Sequence, residues 1–235
     1  MAEYAEIIKQ SGLFPEYEKL ADFEDISTAD VDTLKGLVLN IADIVGPHLD
    51  RIRFTFPQYT EHDMRHLLNV ADIISRFLPK HRDGPYQNTV CLNALELTYL
   101  WLAILLHDVG MFVSEADEKQ SILNSDEYKE YLLETLDRQE AEKKAKEAGL
   151  VVRAQAIREA IFAEFIRHRH AERSRAYVEK YLNGKLRFRE ADISPEIVNL
   201  CESHAWGVIE SNDPRNPLKC VKALDISSWK VNPFC

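Results

Sequence analysis

Apolar residues in this chain recur at three- and four-residue steps along most of its length, the spacing of one buried helix face. From about Asp30 to Ile44 the stripe is Leu34, Leu37, Val38, Ile41 and Ile44, continued by Val45. That spacing predicts a helix, and Gly46–Pro47 predicts its interruption, because proline donates no N–H and crowds the preceding turn. Ahead of it the pattern predicts two short helices, broken near Ser11–Gly12 and Phe14–Pro15. A further helix is expected in YTEHDMRHLLNVADIISRFL, with Thr60 as N-cap, Asp63 closing a capping box and Pro79 after its end. RDGPYQN reads as a loop. The stretch from about Thr89 to Leu106 is apolar on most sides, which marks a central helix.

After Gly110 the chain reads as a polar loop and then one helix from about Asp126 to Ala148, ended by Gly149. Tyr128, Leu132 and Leu136 give its first half an apolar stripe. The second half, DRQEAEKKAKEA, has none, but Glu140–Lys144 and Glu142–Lys146 are spaced for ion pairs, so it is expected to project into solvent. The next helix runs from about Val152 to Leu182, and Ser194–Pro195 starts another. No run of period-two alternation stands out. The pattern as a whole predicts an all-α helical bundle with a projecting charged helix, organised as an N-terminal helical segment (1–54) packed on a core domain (55–235).

Composition narrows the classes. Of 235 residues, 29% are charged and 46% hydrophobic, which suits a globular core. The formal net charge of -10 argues against general nucleic-acid or acidic-membrane binding, although a local basic patch can still grip phosphate. MAEYAEIIKQ lacks the basic and apolar regions of a signal peptide. The uncharged apolar stretch Leu97–Leu106 is too short to span a bilayer. The four cysteines, Cys91, Cys201, Cys220 and Cys235, form no CxxC pair, so reduced thiols and a cytoplasmic location are expected.

The chemistry lies in the histidines. His48 and His81 adjoin Pro and Gly breaks and read as surface residues. His62 and His66 are four apart and share a helix face. In LAILLHDVGM, His107–Asp108 ends an apolar run, where a carboxylate is costly unless paired or bound to a cation. Adjacent helical side chains point about 100° apart; both reach one ion only near a helix end, which Val109–Gly110 supplies. A histidine there can satisfy the last carbonyls, but a carboxylate is unfavourable at that pole. Imidazole and carboxylate together suit a borderline divalent metal. Of His168 and His170, His170 aligns with the inward Ile166, Tyr177 and Tyr181. The same helix bears Arg167, Arg169, Arg173 and Arg175, a basic patch suited to phosphate oxygens or a solvated face. His204 continues the stripe of Ile197, Leu200 and Cys201, where a lone histidine is more often core than ligand.

Four ordered segments carry a resemblance. HLLNV from His66, the HD pair His107–Asp108, RHRHAERSRAYV and CESHAW resemble, over about residues 55–206, the HD superfamily of metal-dependent phosphohydrolases, the latter two the extra-histidine segments of two-metal members such as the HD-GYP phosphodiesterases. The resemblance implies His66, His107 and Asp108 as first-metal ligands, with Asp108 bridging to a second metal held with His170 and His204. It implies one or two divalent ions (Fe, Mn or Zn), a metal-activated water, and a small phosphorylated substrate such as a nucleotide or cyclic nucleotide. His62 takes the place of the proton-donating histidine in the HxxxH segment of cyclic-nucleotide phosphodiesterases, and Arg167, Arg169 or Arg173 would orient phosphates. The family's last aspartate has only a loose counterpart, Asp225 in CVKALDI. Either that residue is the ligand, or it is missing, or the domain is C-terminally incomplete. Related modules often sit N-terminal to other domains, including GHKL-type ATPases, so a fused or associated ATPase domain is expected. A lost last ligand would instead leave a catalytically impaired metal- or nucleotide-binding sensor module.

Overall fold

The computed structural model describes residues 3–20, 26–56, 64–78, 92–114 and 116–203. The described residues form an all-α bundle, with a single small pair of strands. Helix α1 (Glu3–Lys9) and a 3-10 segment (Phe14–Leu20) match the two short N-terminal helices. Helix α2 spans Thr28–Thr55, opened by a full capping box between Ser27 and Asp30.

The expected break at Gly46–Pro47 is corrected here, because α2 runs straight through it. Val45, Leu49, Ile52 and Phe56 extend the stripe of Leu34, Val38 and Ile41, and all are buried. Burying that longer face outweighs one missing helical hydrogen bond. Gly46 has its own task. A Cβ there would lie 2.4 Å from the Tyr4 ring, so only glycine lets α1 dock on α2 at this point. Tyr4 Oη then donates to Asp50 Oδ2 at 2.6 Å, and Asp43 Oδ1 accepts from the Ala5 N–H at 3.0 Å.

Helix α3 spans Met64–Phe77, and the proposed caps Thr60 and Asp63 lie outside the described residues. Helix α4, Ala94–Leu106, starts later than the pattern suggested. Asn93 is its N-cap and pairs reciprocally with Glu96 in a capping box, which fixes the start. Most of α4 is buried, including Trp101, Leu102, Leu105 and Leu106. The stretch Ala94–Met111 has the length and apolarity of a membrane span, longer than the sequence suggested, but 78% of it is buried inside the bundle. Its apolar surface serves the core.

A 3-10 turn, Val109–Met111, follows α4. The expected polar loop is partly helix α5 (Ala116–Asn124), and the expected long helix is two, α6 (Asp126–Leu133) and α7 (Leu136–Glu147). Tyr128 is buried while Leu133 and Leu136 are exposed, so the apolar stripe does not continue across the junction at Glu134–Thr135. Gly149, at φ 71°, reverses the chain into α8 (Val151–Tyr181). As expected, α7 is largely exposed to solvent, with α8 as its support. It packs along the first half of α8, burying Ala145, with Arg158 on Glu142 at 2.6 Å and Arg138 on Glu164 across the hairpin. A two-residue strand pair, β1 (Arg187–Phe188) and β2 (Ala191–Asp192), went unseen in the sequence because it is too short to show alternation. Helix α9 (Ser194–Ser203) closes on α8 through the bidentate Arg175–Glu202 pair, both contacts 2.7 Å.

Candidate metal centre

Three helices bring the candidate ligands together. Helix α3 carries His66 in its first turn, half-buried. Helix α4 delivers His107 as its C-cap residue, still in helical backbone at φ -60° and ψ -39°. Asp108 then leaves the helix at φ -101° and ψ 0°, the backbone region used where chains turn sharply. That departure lets two adjacent side chains reach one point. One ligand atom each from His66, His107 and Asp108 lies within 4.8 Å of the others, and the two imidazole rings are 6.3 Å apart.

Asp108 is 7% exposed. Its side chain does not cap the 3-10 turn it precedes. One oxygen lies 2.8 Å from His107 Nε2, and the other lies 3.7 Å from His170 Nε2 on α8. Both histidines are turned the same way. His107 Nδ1 donates to the Ile104 carbonyl at 2.9 Å, and His170 Nδ1 to the Arg167 carbonyl, each three residues back. A carbonyl only accepts, so each Nδ1 holds the proton and Nε2 is the atom directed at the carboxylate.

That arrangement tests whether the residues fit a metal. Metal-binding histidines commonly donate their other ring N–H to a backbone carbonyl, which fixes tautomer and ring orientation. The fit is good: two Nε2 atoms face a buried carboxylate, with His66 beside them. Without an ion, Nε2 of His107 meets Asp108 only as a proton donor. Burial works against the imidazolium, but the hydrogen bond and charge of Asp108 outweigh it, and the pKa of His107 is raised. An ion would take the place of that proton.

The remaining candidates are dispersed. His168 points away, 63% exposed and 3.8 Å from Glu164. Arg167 and Arg169 are exposed, and Arg169 pairs with Glu172 at 2.7 Å. Arg173 turns inward, its Nε donating to the Gly110 carbonyl and its Nη2 to the Phe112 carbonyl, both at 2.7 Å. His62, His81, His204 and Asp225 lie outside the described residues. Expected at the surface, His48 is instead half-buried, stacked on Phe112 with ring centroids 4.5 Å apart and hydrogen-bonded to the Tyr177 hydroxyl. The continuation of α2 through Pro47 puts it there.

Sequence reasoning passed over Ser174 and took Gly110 only as the end of a helix. A Cβ on Gly110 would lie 1.9 Å from the His170 carbonyl oxygen and 2.5 Å from the Ser174 nitrogen, so the turn rests on the backbone of α8 itself. The available signal was a small hydroxyl residue one helical turn after His170, on the same face.

Among known families, the model described as HD-CE matches residues 56–234 of this chain. No curated protein and no solved structure matches it.

Proposed function

This chain belongs to the HD-CE family, and from that premise we propose that it is a cytoplasmic metal-dependent phosphohydrolase acting on a small phosphoester, a nucleotide or cyclic nucleotide. The observation that carries the reading is the shared geometry of His107 and His170, each tethered through Nδ1 to a carbonyl and directed through Nε2 at Asp108.

In this reading His66, His107 and Asp108 would hold a divalent ion, and His170 and His204 would be donors for a second. Such an ion supplies Lewis-acid activation of water and neutralises charge on phosphoryl oxygens. The chain's own residues do the rest. Asp108 and the two tethered imidazoles keep their donor atoms fixed, so little reorganisation accompanies binding. In hydrolysis the water oxygen bonds to phosphorus as the ester P–O bond breaks; the departing oxygen takes a proton, for which His62 is the proposed donor, and the proton released by the attacking water passes to solvent, from which His62 is reprotonated. Arg167 and Arg169, on the exposed face of α8, are the proposed phosphate contacts. The Nε and Nη2 groups of Arg173 are engaged with the turn, which favours a structural task for that residue.

Elemental analysis of protein purified without added metal, beside Asp108→Ala, tests this. Retention of about one to two ions per chain, lost in the variant, followed by turnover in a phosphoester screen, is expected. Absence of metal in the wild type even after reconstitution with Mn, Fe or Zn would overturn it.

A further inference from the structure

We infer that Ser174 and Arg173 are positioning residues of the metal centre, a two-residue clamp that holds the Asp108 turn at a fixed distance from the helix carrying His170. This rests on the metal-centre reading above and extends it to residues that contact no ligand atom.

Asp108 and His170 stand on segments far apart in the chain, and a shared site needs their separation held to within about 0.5 Å. Ser174 is fully buried. Its hydroxyl accepts from the Gly110 N–H at 3.0 Å and donates to the His107 carbonyl at 3.0 Å. One side chain therefore grips both sides of Asp108, at the residue before it and two residues after it. Ser174 follows His170 by four positions, so the grip and the second-site histidine share one face of α8, a turn apart. No Cβ intervenes at Gly110, and the turn lies directly on the α8 backbone.

Arg173 extends the same grip. Its guanidinium takes the carbonyls of Gly110 and Phe112, both at 2.7 Å, and Nη2 also meets Glu118 Oε1 at 3.0 Å. Glu118 Oε2 in turn accepts from the Ser114 N–H at 2.6 Å. The backbone from His107 to Ser114 is thus hydrogen-bonded to two consecutive residues of α8 and to the first turn of α5. Helix packing alone would leave the angle of such a turn to soft contacts. Directional bonds to four backbone groups of the turn (the His107, Gly110 and Phe112 carbonyls and the Gly110 N–H) fix where Asp108 points.

The test uses the full chain stripped of metal and titrated with Mn(II), reading affinity by calorimetry and stability by urea unfolding without metal. Variants are Ser174→Ala, Arg173→Met and a control, Tyr17→Phe. Tyr17 shares a buried 2.7 Å hydrogen bond with Thr98, more than two helical turns before His107, so the control removes a buried bond remote from the turn. Loss of support behind metal ligands typically weakens affinity by roughly 10–100-fold, and that loss is expected for Ser174→Ala and, in the same direction, for Arg173→Met. Tyr17→Phe is expected to lower stability with Mn(II) affinity within about twofold of wild type. Arg173→Met alone decides the matter if Ser174→Ala does not fold. Wild-type affinity in the clamp variants, with stability reduced as in the control, would overturn the inference and leave the metal centre standing. No Mn(II) binding by the wild type would overturn both.

Discussion

At the scale of single residues, the centre depends on atoms that are absent as much as on those present. Gly110 is the clearest case. Its backbone approaches α8 so closely that any side chain would meet the His170 carbonyl and Ser174 nitrogen, neither of which can rotate away. Gly110→Ala is expected to destabilise the protein by about 1–3 kcal/mol or more, the range for forcing atoms into a packed site, measured by urea unfolding. A change below about 0.5 kcal/mol would show that the turn can shift without loss. His48 makes a different prediction. Burial, then the neighbouring positive charge of Arg51, lower its pKa. Phe112, Tyr177 and Tyr181 are the other groups around the ring. A histidine whose folded pKa lies below its unfolded value contributes stability that is present above about pH 6.5 and fades as pH falls through the folded value. His48→Phe keeps a ring against Phe112 and removes the proton site. The difference in unfolding free energy between wild type and variant is expected to move against the wild type as pH drops from 7.5 to 5. A difference independent of pH would show that His48 titrates alike folded and unfolded.

At the scale of elements, the stripe of apolar residues made most helices legible, and the errors came where tertiary burial overrode local signals. Proline is a strong local breaker, yet α2 passes Pro47 because Leu49, Ile52 and Phe56 continue a buried face. Conversely, nothing local separates α6 from α7. The chain bends where its apolar face runs out, and the charged, largely exposed α7 rests on α8 through Ala145 and its ion pairs. Pro47 itself is exposed, so Pro47→Ala removes no core contact and restores an N–H within reach of the Asp43 carbonyl. Proline in a helix interior costs about 3 kcal/mol relative to alanine. Pro47→Ala is therefore expected to stabilise the protein by about 1–3 kcal/mol. Denaturant midpoints would show it. A decrease instead would mean that Pro47 helps to seat α1, whose Tyr4 and Ala5 bind Asp50 and Asp43 on either side of it.

At the scale of the whole molecule, the candidate ligands were legible one by one, through histidine spacing and a carboxylate at the end of an apolar helix. Their convergence was legible only through the family resemblance, because it depends on how α3, α4 and α8 pack, and no local pattern encodes a distance between helices. The clamp was hidden for the same reason, since serine and arginine are ordinary on any helix. Convergence has a thermodynamic consequence. An ion that binds the assembled centre and not the unfolded chain draws three helices together, and its binding energy becomes folding energy. At an ion concentration 100-fold above its dissociation constant the gain is about 2.7 kcal/mol. For a chain of this size that corresponds to a rise of roughly 5–10 °C in Tm. Mn(II) added to metal-free protein is expected to produce that rise, and a chelator to reverse it. Asp108→Ala is expected to abolish it, because the carboxylate is the group that both His107 and His170 face. An equal rise in Asp108→Ala would place the stabilising ion elsewhere on this acidic surface, and the helices would then be joined by their apolar faces alone.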